Sequence, residues 1–238
     1  MKKIIFILFI LMCSIIHGQT TPPMASVVYN NETYTSNQPY NLNIVYFLPS
    51  GQAVDPTYRT RLSAMMLYYQ NWIRNQMINN GFGNRTFGLL TRQSDATTTS
   101  VLINFIQGQE PVTSYPYAGG ADRVSAEVDA YFRANPLLKN SEHTLIIIPT
   151  LDLATVNLPY FGTGKSAYVI DYPQYQVNNI GIGNDWSGGN LHELGHGLNV
   201  GHSSEPNQEQ ANPNQGTSIM RSHGTLGISP TFINRAGC

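Results

Sequence analysis

Three histidines and a glutamate near residue 200 have the types and spacing that bind and use a metal ion. His192, Glu193 and His196 form the pattern H-E-x-x-H, and His202 follows after five more residues. On a helix, residues four positions apart project from one face, so His192 and His196 can bind the same ion. Three histidine ligands with a fourth position open are typical of catalytic zinc sites, whereas structural sites usually fill all four positions. Glu193, beside the first ligand, is placed to act as a general base toward an activated water.

The helix that carries these residues must end soon after His196, because a longer helix would carry His202 away from the metal. Asn199 is the residue at which we expect the chain to turn back. Asparagine is second to glycine in its tolerance of the left-handed backbone region, so we predict that conformation there. A different face of the helix is apolar and suits burial against a sheet; it consists of Leu191, Leu194 and Leu198.

Two further histidines stand apart from this pattern. His143 and His223 are not at metal-ligand spacing from the others. We expect His143 to cap a strand, and we assign neither residue a chemical role.

Strands and helices alternate through the middle of the chain. Apolar runs predict strands at residues 42–48, 101–106, 144–148 and 166–170. Helical spacing of apolar residues predicts a long helix over residues 56–79. A second helix is introduced by Gly119 and Gly120 and ends at Asn135 and Pro136. The alternation indicates one α/β domain with a mixed, mostly parallel sheet.

Residues 1–18 have the pattern of a secretory signal peptide. Lys2 and Lys3 precede an apolar run over residues 4–16, and Gly18 offers a small residue at a plausible cleavage point. The apolar run is shorter than the ~20 residues that a membrane-spanning helix needs. We therefore expect a secreted protein, extracellular or periplasmic, with no membrane insertion in its mature form. Residues 19–41 are rich in Thr, Pro, Asn and Ser, which predicts an extended N-terminal arm or a short pro-segment.

The composition excludes one broad class of function. Only 11% of the 238 residues are charged and the formal net charge is −1, so the chain lacks the basic surface of a general nucleic-acid binder. Hydrophobic residues make up 41%, which is enough to form a substantial core.

The stretch from His192 to His202, H-E-L-G-H-G-L-N-V-G-H, resembles the long zinc signature of the metzincin metallopeptidases. In that clan a methionine-containing turn follows the third histidine, and Met220, within residues 217–221, matches it. The resemblance implies a metzincin-like catalytic domain over residues 42–238, with a long N-terminal helix and a zinc-binding active-site helix. It also implies one catalytic Zn²⁺ bound by His192, His196 and His202, with Met220 packed beneath the ligands without coordinating. No calcium-binding loop is recognisable, so a calcium requirement is not indicated.

The subfamily stays open at this stage. Ser203, directly after the third histidine, is similar to the matrixins, whereas Ser218 before Ile219 and Met220 is similar to the adamalysin turn. Ser222 stands where astacins and serralysins have a tyrosine ligand, so a fifth ligand of that kind is not expected.

Latency of the cysteine-switch type is excluded because the N-terminal arm has no cysteine. Glu32 is a candidate carboxylate switch if the arm is a pro-segment, and an ordinary exposed glutamate is the alternative interpretation.

The sequence therefore predicts an exported zinc-dependent endopeptidase that hydrolyses protein or peptide substrates, with Glu193 as general base. The strand near residues 165–170 precedes the zinc helix, and we expect it to form the cleft edge that aligns an extended peptide. Two alternatives remain: a zinc-containing adhesion or binding module with vestigial catalysis, and a zinc hydrolase of non-peptide amides. Cleavage preference, oligomeric state and the role of Cys238 are left open by the sequence.

Overall fold

The computed structural model describes residues 23–181, 186–202 and 219–220. The sequence predictions for the signal peptide at residues 1–18, for Ser203, for the first residues of the Met220 turn and for the residues after Met220 lie outside this part.

Nine strands and three α-helices are present in the described residues. The strands are β1 (Ala25–Tyr29), β2 (Glu32–Ser36), β3 (Asn43–Ser50), β4 (Thr91–Gln93), β5 (Thr99–Val101), β6 (Ile103–Pro111), β7 (Thr144–Pro149), β8 (Phe161–Thr163) and β9 (Ser166–Asp171). The helices are α1 (Tyr58–Asn79), α2 (Gly120–Ala134) and α3 (Ser187–Gly197). Short 3₁₀ helices span Val112–Ser114, Pro136–Leu138 and Val177–Asn179. The predicted helices and the predicted central strands are therefore confirmed, with ends that differ by a few residues.

A five-stranded sheet in the order β6-β3-β7-β9-β8 forms the centre of the molecule. Its first four strands are parallel, and β8 alone is antiparallel, to β9. β3 and β7 are buried along almost their whole length, which is why they consist of nearly continuous apolar residues. Helices α1 and α3 pack on one face of this sheet and α2 packs on the other. The result is the predicted mixed, mostly parallel α/β architecture.

A second, antiparallel sheet in the order β1-β2-β4-β5 was not predicted. The hairpin of β1 and β2 turns at Asn30 and Asn31, whose φ values of 50° and 63° suit a tight hairpin turn. These residues were expected to form an extended arm, but the hairpin pairs through Thr35 with Thr91 of β4. The strands are short, and of their apolar side chains mainly those of Val27 and Tyr34 are buried, so the alternating pattern is too brief to detect.

Glu32, the candidate carboxylate switch, forms an ion pair within this second sheet. Its Oε1 lies 2.8 Å from an Arg92 guanidinium nitrogen, and its Oε2 accepts a hydrogen bond of 3.0 Å from the Tyr34 hydroxyl. The carboxylate is thus occupied by partners in its own sheet and does not support the latency hypothesis.

The expected cleft edge is placed wrongly by the sequence analysis. β9 is an interior strand, because it pairs with β7 on one side and with β8 on the other. The edge of the sheet is β8, three residues long and interrupted by Gly162, which gave no strand signal in the sequence. Gly164, with φ 49°, forms the tight turn that joins β8 to β9.

No helix within the described residues combines the length and the apolarity needed to span a membrane.

Candidate metal centre

Helix α3 lies across β8 and β9 with its apolar face inward, as predicted. Leu191 and Leu194 are each about 1% exposed and belong to the core between α1 and the sheet. Near its first residues, the helix is held to other elements by two side-chain hydrogen bonds. The amide of Asn190 donates to the Ile170 carbonyl (3.0 Å), and the Tyr69 hydroxyl of α1 donates to the Ser187 carbonyl (2.6 Å).

The helix also approaches β8 without intervening side chains. A Cβ at Gly162 would lie 2.6 Å from the Cβ of His196 and would also overlap the Glu193 carbonyl oxygen. A Cβ at Gly197 would similarly lie 2.9 Å from that of Ala167 in β9. Glycine is required at these positions because the helix lies so close to the two strands that no side chain fits between them.

The three predicted histidines converge. The Nε2 atom of His196 lies 3.0 Å from that of His192 and 3.1 Å from that of His202. His192 is buried, His196 half-buried and His202 exposed, so the group opens toward solvent on one side.

Two of the imidazoles are oriented by backbone carbonyls. Nδ1 of His192 lies 2.5 Å from the Ile219 carbonyl oxygen, and Nδ1 of His196 lies 2.8 Å from that of Val200. A carbonyl oxygen only accepts hydrogen bonds, so each Nδ1 carries the proton and each Nε2 presents a lone pair. Two such lone pairs 3.0 Å apart repel unless a cation lies between them.

The spacing suits zinc. Zn–N bonds of about 2.0–2.1 Å in tetrahedral geometry separate two ligand nitrogens by about 3.3 Å. The group can therefore hold a metal ion, and its donors and dimensions fit that metal.

The chain leaves α3 through a glycine-type C-cap, with asparagine in the glycine position. Asn199 has φ 67°, the left-handed conformation expected from the sequence. The Val200 N–H donates to the Gly195 carbonyl (2.9 Å), and the Asn199 N–H donates to the His196 carbonyl (3.0 Å). These are the two hydrogen bonds of a Schellman motif, which reverses the chain and brings His202 back toward the helix.

Met220 packs against helix α3. It is fully buried, and a Cβ at Gly195 would lie 2.5 Å from its sulfur atom. Gly195 stands on α3 between the first two histidines, so the methionine side chain fills the space that a larger residue would occupy. The neighbouring residue, Ile219, supplies the carbonyl that orients His192.

Glu193 follows His192 on α3 and is only 5% exposed. It therefore does not lie on the solvent-facing surface of the helix.

An ion-pair cluster fixes the segment that leads from β9 to α3. The Arg61 guanidinium of α1 bonds both carboxylate oxygens of Asp171 (2.5 and 2.8 Å), the Asp55 carboxylate (2.7 Å) and the Tyr175 carbonyl (2.9 Å). Despite its burial, Arg61 has a raised pKa because Asp171 and Asp55 hydrogen-bond to it, so it is charged at all ordinary pH values.

One side chain that contacts α3 could not be found from the sequence. The Nδ1 atom of His143 lies 2.8 Å from the Gly197 carbonyl oxygen at the end of α3. The expectation that this histidine caps a strand is wrong, because its imidazole faces the helix. The two residues are 54 positions apart, so no local pattern could have joined them.

No protein-family model matches the chain, and no curated protein matches it. Similar solved structures include three of OgpA from Akkermansia muciniphila, each with 34% sequence identity over 84% of this chain. One is catalytically inactive OgpA in complex with an O-glycopeptide substrate, glycodrosocin, with a TM-score of 0.75. The other two are wild-type OgpA in two crystal forms, with TM-scores of 0.72 and 0.74.

This chain spans 59% of the length of the OgpA chains that it matches. At this identity and coverage, the similarity confirms the mixed α/β fold.

Proposed function

We propose that this chain is an exported zinc-dependent endopeptidase of the metzincin type. The observation that carries the proposal is the convergence of three imidazoles at the helix that carries Glu193, with the Nε2 atom of His196 lying 3.0 Å from that of His192 and 3.1 Å from that of His202. The similarity to OgpA, an enzyme with an O-glycopeptide substrate, supports a peptidase rather than a purely structural metal site.

His192, His196 and His202 would hold the metal through Nε2, since the backbone carbonyls of Ile219 and Val200 already occupy the Nδ1 protons of the first two. Zinc is the metal of choice for a site of three neutral imidazoles with no sulfur ligand. When bound, it supplies a Lewis acid that polarises the scissile carbonyl and lowers the pKa of water toward about 7.

Glu193 is the general base in this proposal. Its carboxylate accepts the proton of the attacking water and passes it to the leaving amine. A purely structural site has no need for a carboxylate in this position, which favours catalysis over a vestigial role.

The edge strand β8 gives an extended peptide a surface to align on. Within the described sheet it pairs only with β9, so its outer edge is available for an added strand. Gly162 places this strand directly against His196 and Glu193 of α3. A peptide paired with β8 would therefore pass beside the metal, which moves the proposed cleft edge from β9 to β8.

The substrate class that we propose is O-glycosylated peptide. This rests on the complex of inactive OgpA with an O-glycopeptide, because that protein matches 84% of this chain.

Two other functions predict different behaviour. An adhesion module with vestigial catalysis would bind glycopeptide without cutting it. A hydrolase of non-peptide amides would release no peptide fragments from either a glycosylated or an unglycosylated substrate.

The test uses one peptide sequence made with and without an O-linked sugar on a Ser or Thr, together with a complex peptide library. The purified chain is assayed by mass spectrometry as isolated, after metal removal by a strong chelator, and after re-addition of zinc. We expect cleavage of the glycosylated peptide, its loss in the stripped protein and its recovery with zinc.

Full activity of the folded, metal-free chain would refute the zinc mechanism. Equal cleavage of both peptides would support a peptidase but refute the requirement for a glycan on the substrate. Binding of the glycopeptide without any cleavage would favour the adhesion module.

A further inference from the structure

The last four carbonyl oxygens of an α-helix have no N–H group within the helix to bond with, so they need hydrogen-bond donors from elsewhere. In α3, the carbonyls of Leu194, Gly195 and His196 accept from the N–H groups of the C-cap turn. The Gly197 carbonyl instead accepts a hydrogen bond of 2.8 Å from the imidazole of His143. A side chain from the loop directly before β7 thus donates a hydrogen bond to the end of α3.

His143 is itself fixed to the sheet. Its carbonyl accepts from the Asn43 N–H (3.1 Å) and from the Asn43 side-chain amide (2.9 Å). Asn43 begins β3 and is only 2% exposed. The backbone at His143 is therefore anchored to the most buried part of the molecule, directly before β7.

The bonded carbonyl belongs to the residue between His196 and the C-cap turn. His196 is coupled to this turn on both sides of its ring. Its Nδ1 bonds to the Val200 carbonyl, and its Nε2 lies 3.1 Å from that of His202. Any movement of Gly197 would shift the turn and therefore the distance between the second and third histidines.

We propose that His143 is a positioning residue for the metal site: it holds the end of α3 through Gly197, so that His202 meets the ion bound by His192 and His196. This inference rests on the proposed metal binding. The Gly197 carbonyl requires a donor, so the imidazole acts through its Nδ1–H.

Two variants separate the hydrogen bond from the shape of the side chain. His143→Asn keeps a donor two bonds beyond Cβ, where the imidazole Nδ1 stands, while His143→Leu has the same branching without a donor. Glu142→Gln controls for damage to the loop, because Glu142 is exposed and pairs with Lys165 rather than with α3.

Each variant of the whole chain is measured by competition for Zn²⁺ with a chromophoric chelator, and by the visible absorption of bound Co²⁺. Circular dichroism of the metal-free proteins verifies folding, and His143→Phe replaces the Leu variant if that one does not fold. We expect His143→Leu to bind zinc about tenfold more weakly than wild type. This is the smaller end of the loss of affinity seen when residues that orient metal ligands are replaced. Its Co²⁺ bands should weaken, because a loosened third ligand admits water and raises the coordination number.

We expect His143→Asn to retain most of the affinity and the wild-type spectrum, and Glu142→Gln to match wild type. Wild-type affinity in His143→Leu would overturn the inference, as would equal losses in the Leu and Asn variants or in Glu142→Gln. If the wild-type chain binds zinc but cleaves no peptide, the proposed function fails while the role of His143 stands.

Discussion

The protonation of individual imidazole nitrogens decides what the site can bind. Ile219 and Val200 hold the protons of His192 and His196 on Nδ1, so their Nε2 lone pairs face the same point before any ion arrives. This arrangement lowers the reorganisation that metal binding requires. In the proposed mechanism the base function therefore belongs to a different residue, Glu193.

Replacing Glu193 by glutamine should separate chemistry from metal binding. The amide has nearly the same shape and leaves all three imidazoles in place, so we expect about one equivalent of zinc to remain bound. Turnover should fall by about 10²–10⁴ because the base is lost. Metal content and the rate of peptide cleavage measure the two effects.

The matched control is Glu110→Gln, the same substitution at an exposed position. If Glu193→Gln keeps its rate with zinc bound, the base is another group.

Asn199 tests the turn that delivers His202. Glycine has no steric penalty at φ 67°, so Asn199→Gly should keep zinc affinity and activity. A β-branched residue is disfavoured there by more than the ~1–2 kcal/mol typical of ordinary residues. Asn199→Val should therefore weaken zinc affinity and activity together, as measured by chelator competition and peptide cleavage.

Asn31→Val provides the control, because Asn31 has φ 63° in a hairpin distant along the chain from the ligands. It should lower thermal stability without lowering zinc affinity. Tight zinc binding by Asn199→Val would show that the left-handed turn is not needed.

At the scale of the elements, the site depends on how closely α3 packs on the edge of the sheet. The helix meets β8 at Gly162 and β9 at Gly197, and the Met220 side chain packs on Gly195. The close contacts with the two strands place the histidines more rigidly than long side chains would, because they leave no rotamer to adjust.

Alanine at two of these glycines should have different costs. A methyl group at Gly162 meets the backbone of α3, which cannot yield, so Gly162→Ala should destabilise the fold by about 1–3 kcal/mol and lower zinc affinity. At Gly195 the methyl group meets the flexible Met220 side chain, so the cost should be smaller. Urea unfolding of the metal-free variants measures both.

The contact between Met220 and Gly195 can be tested further with Met220→Ala. Combined with Gly195→Ala, it should lose less stability than the two single losses added together, because the added methyl group enters the space that the methionine vacates. Combined with Gly162→Ala, the losses should add. Additive losses in both pairs would contradict the contact between Met220 and Gly195.

Periodic elements were predictable from the sequence, and short ones were not. The helix from Tyr58 has a long apolar pattern at helical spacing, and the strand from Thr144 is a nearly continuous apolar run that is too short for an ordinary helix. β8 has three residues, one of them glycine, and becomes a strand only because β9 is there to pair with it. The local pattern around His192 predicted which side chains converge, whereas the contact of His143 with Gly197 depends on tertiary structure.

At the scale of the whole molecule, the site is assembled from segments that are distant in the sequence. β3 pairs with β6 and β7, so that Ile44 lies opposite Ile103 and Asn43 opposite Thr144. The helix that carries the ligands then packs on β9 and β8. The architecture was predictable from the alternation of elements, but the position of α3 at an antiparallel edge was not.

This parallel pairing has a consequence for folding kinetics. Strands that pair across about 60 and 100 residues close large loops before they gain contacts, so we expect slow folding whose rate is set before α3 has a surface to pack on. We therefore expect the three histidines to come together after the rate-limiting step, unlike in a zinc finger, where the metal organises the fold.

Zinc should consequently leave the refolding rate unchanged, within about twofold, and should slow unfolding instead, because it stabilises interactions absent from the transition state. Stopped-flow refolding and unfolding in urea, with zinc or with a chelator, measure both rates. A several-fold acceleration of refolding by zinc would mean that the histidines gather early. Unchanged refolding with slower unfolding would mean that bound zinc raises the barrier to unfolding, so that loss of the ion would shorten the lifetime of the folded protein.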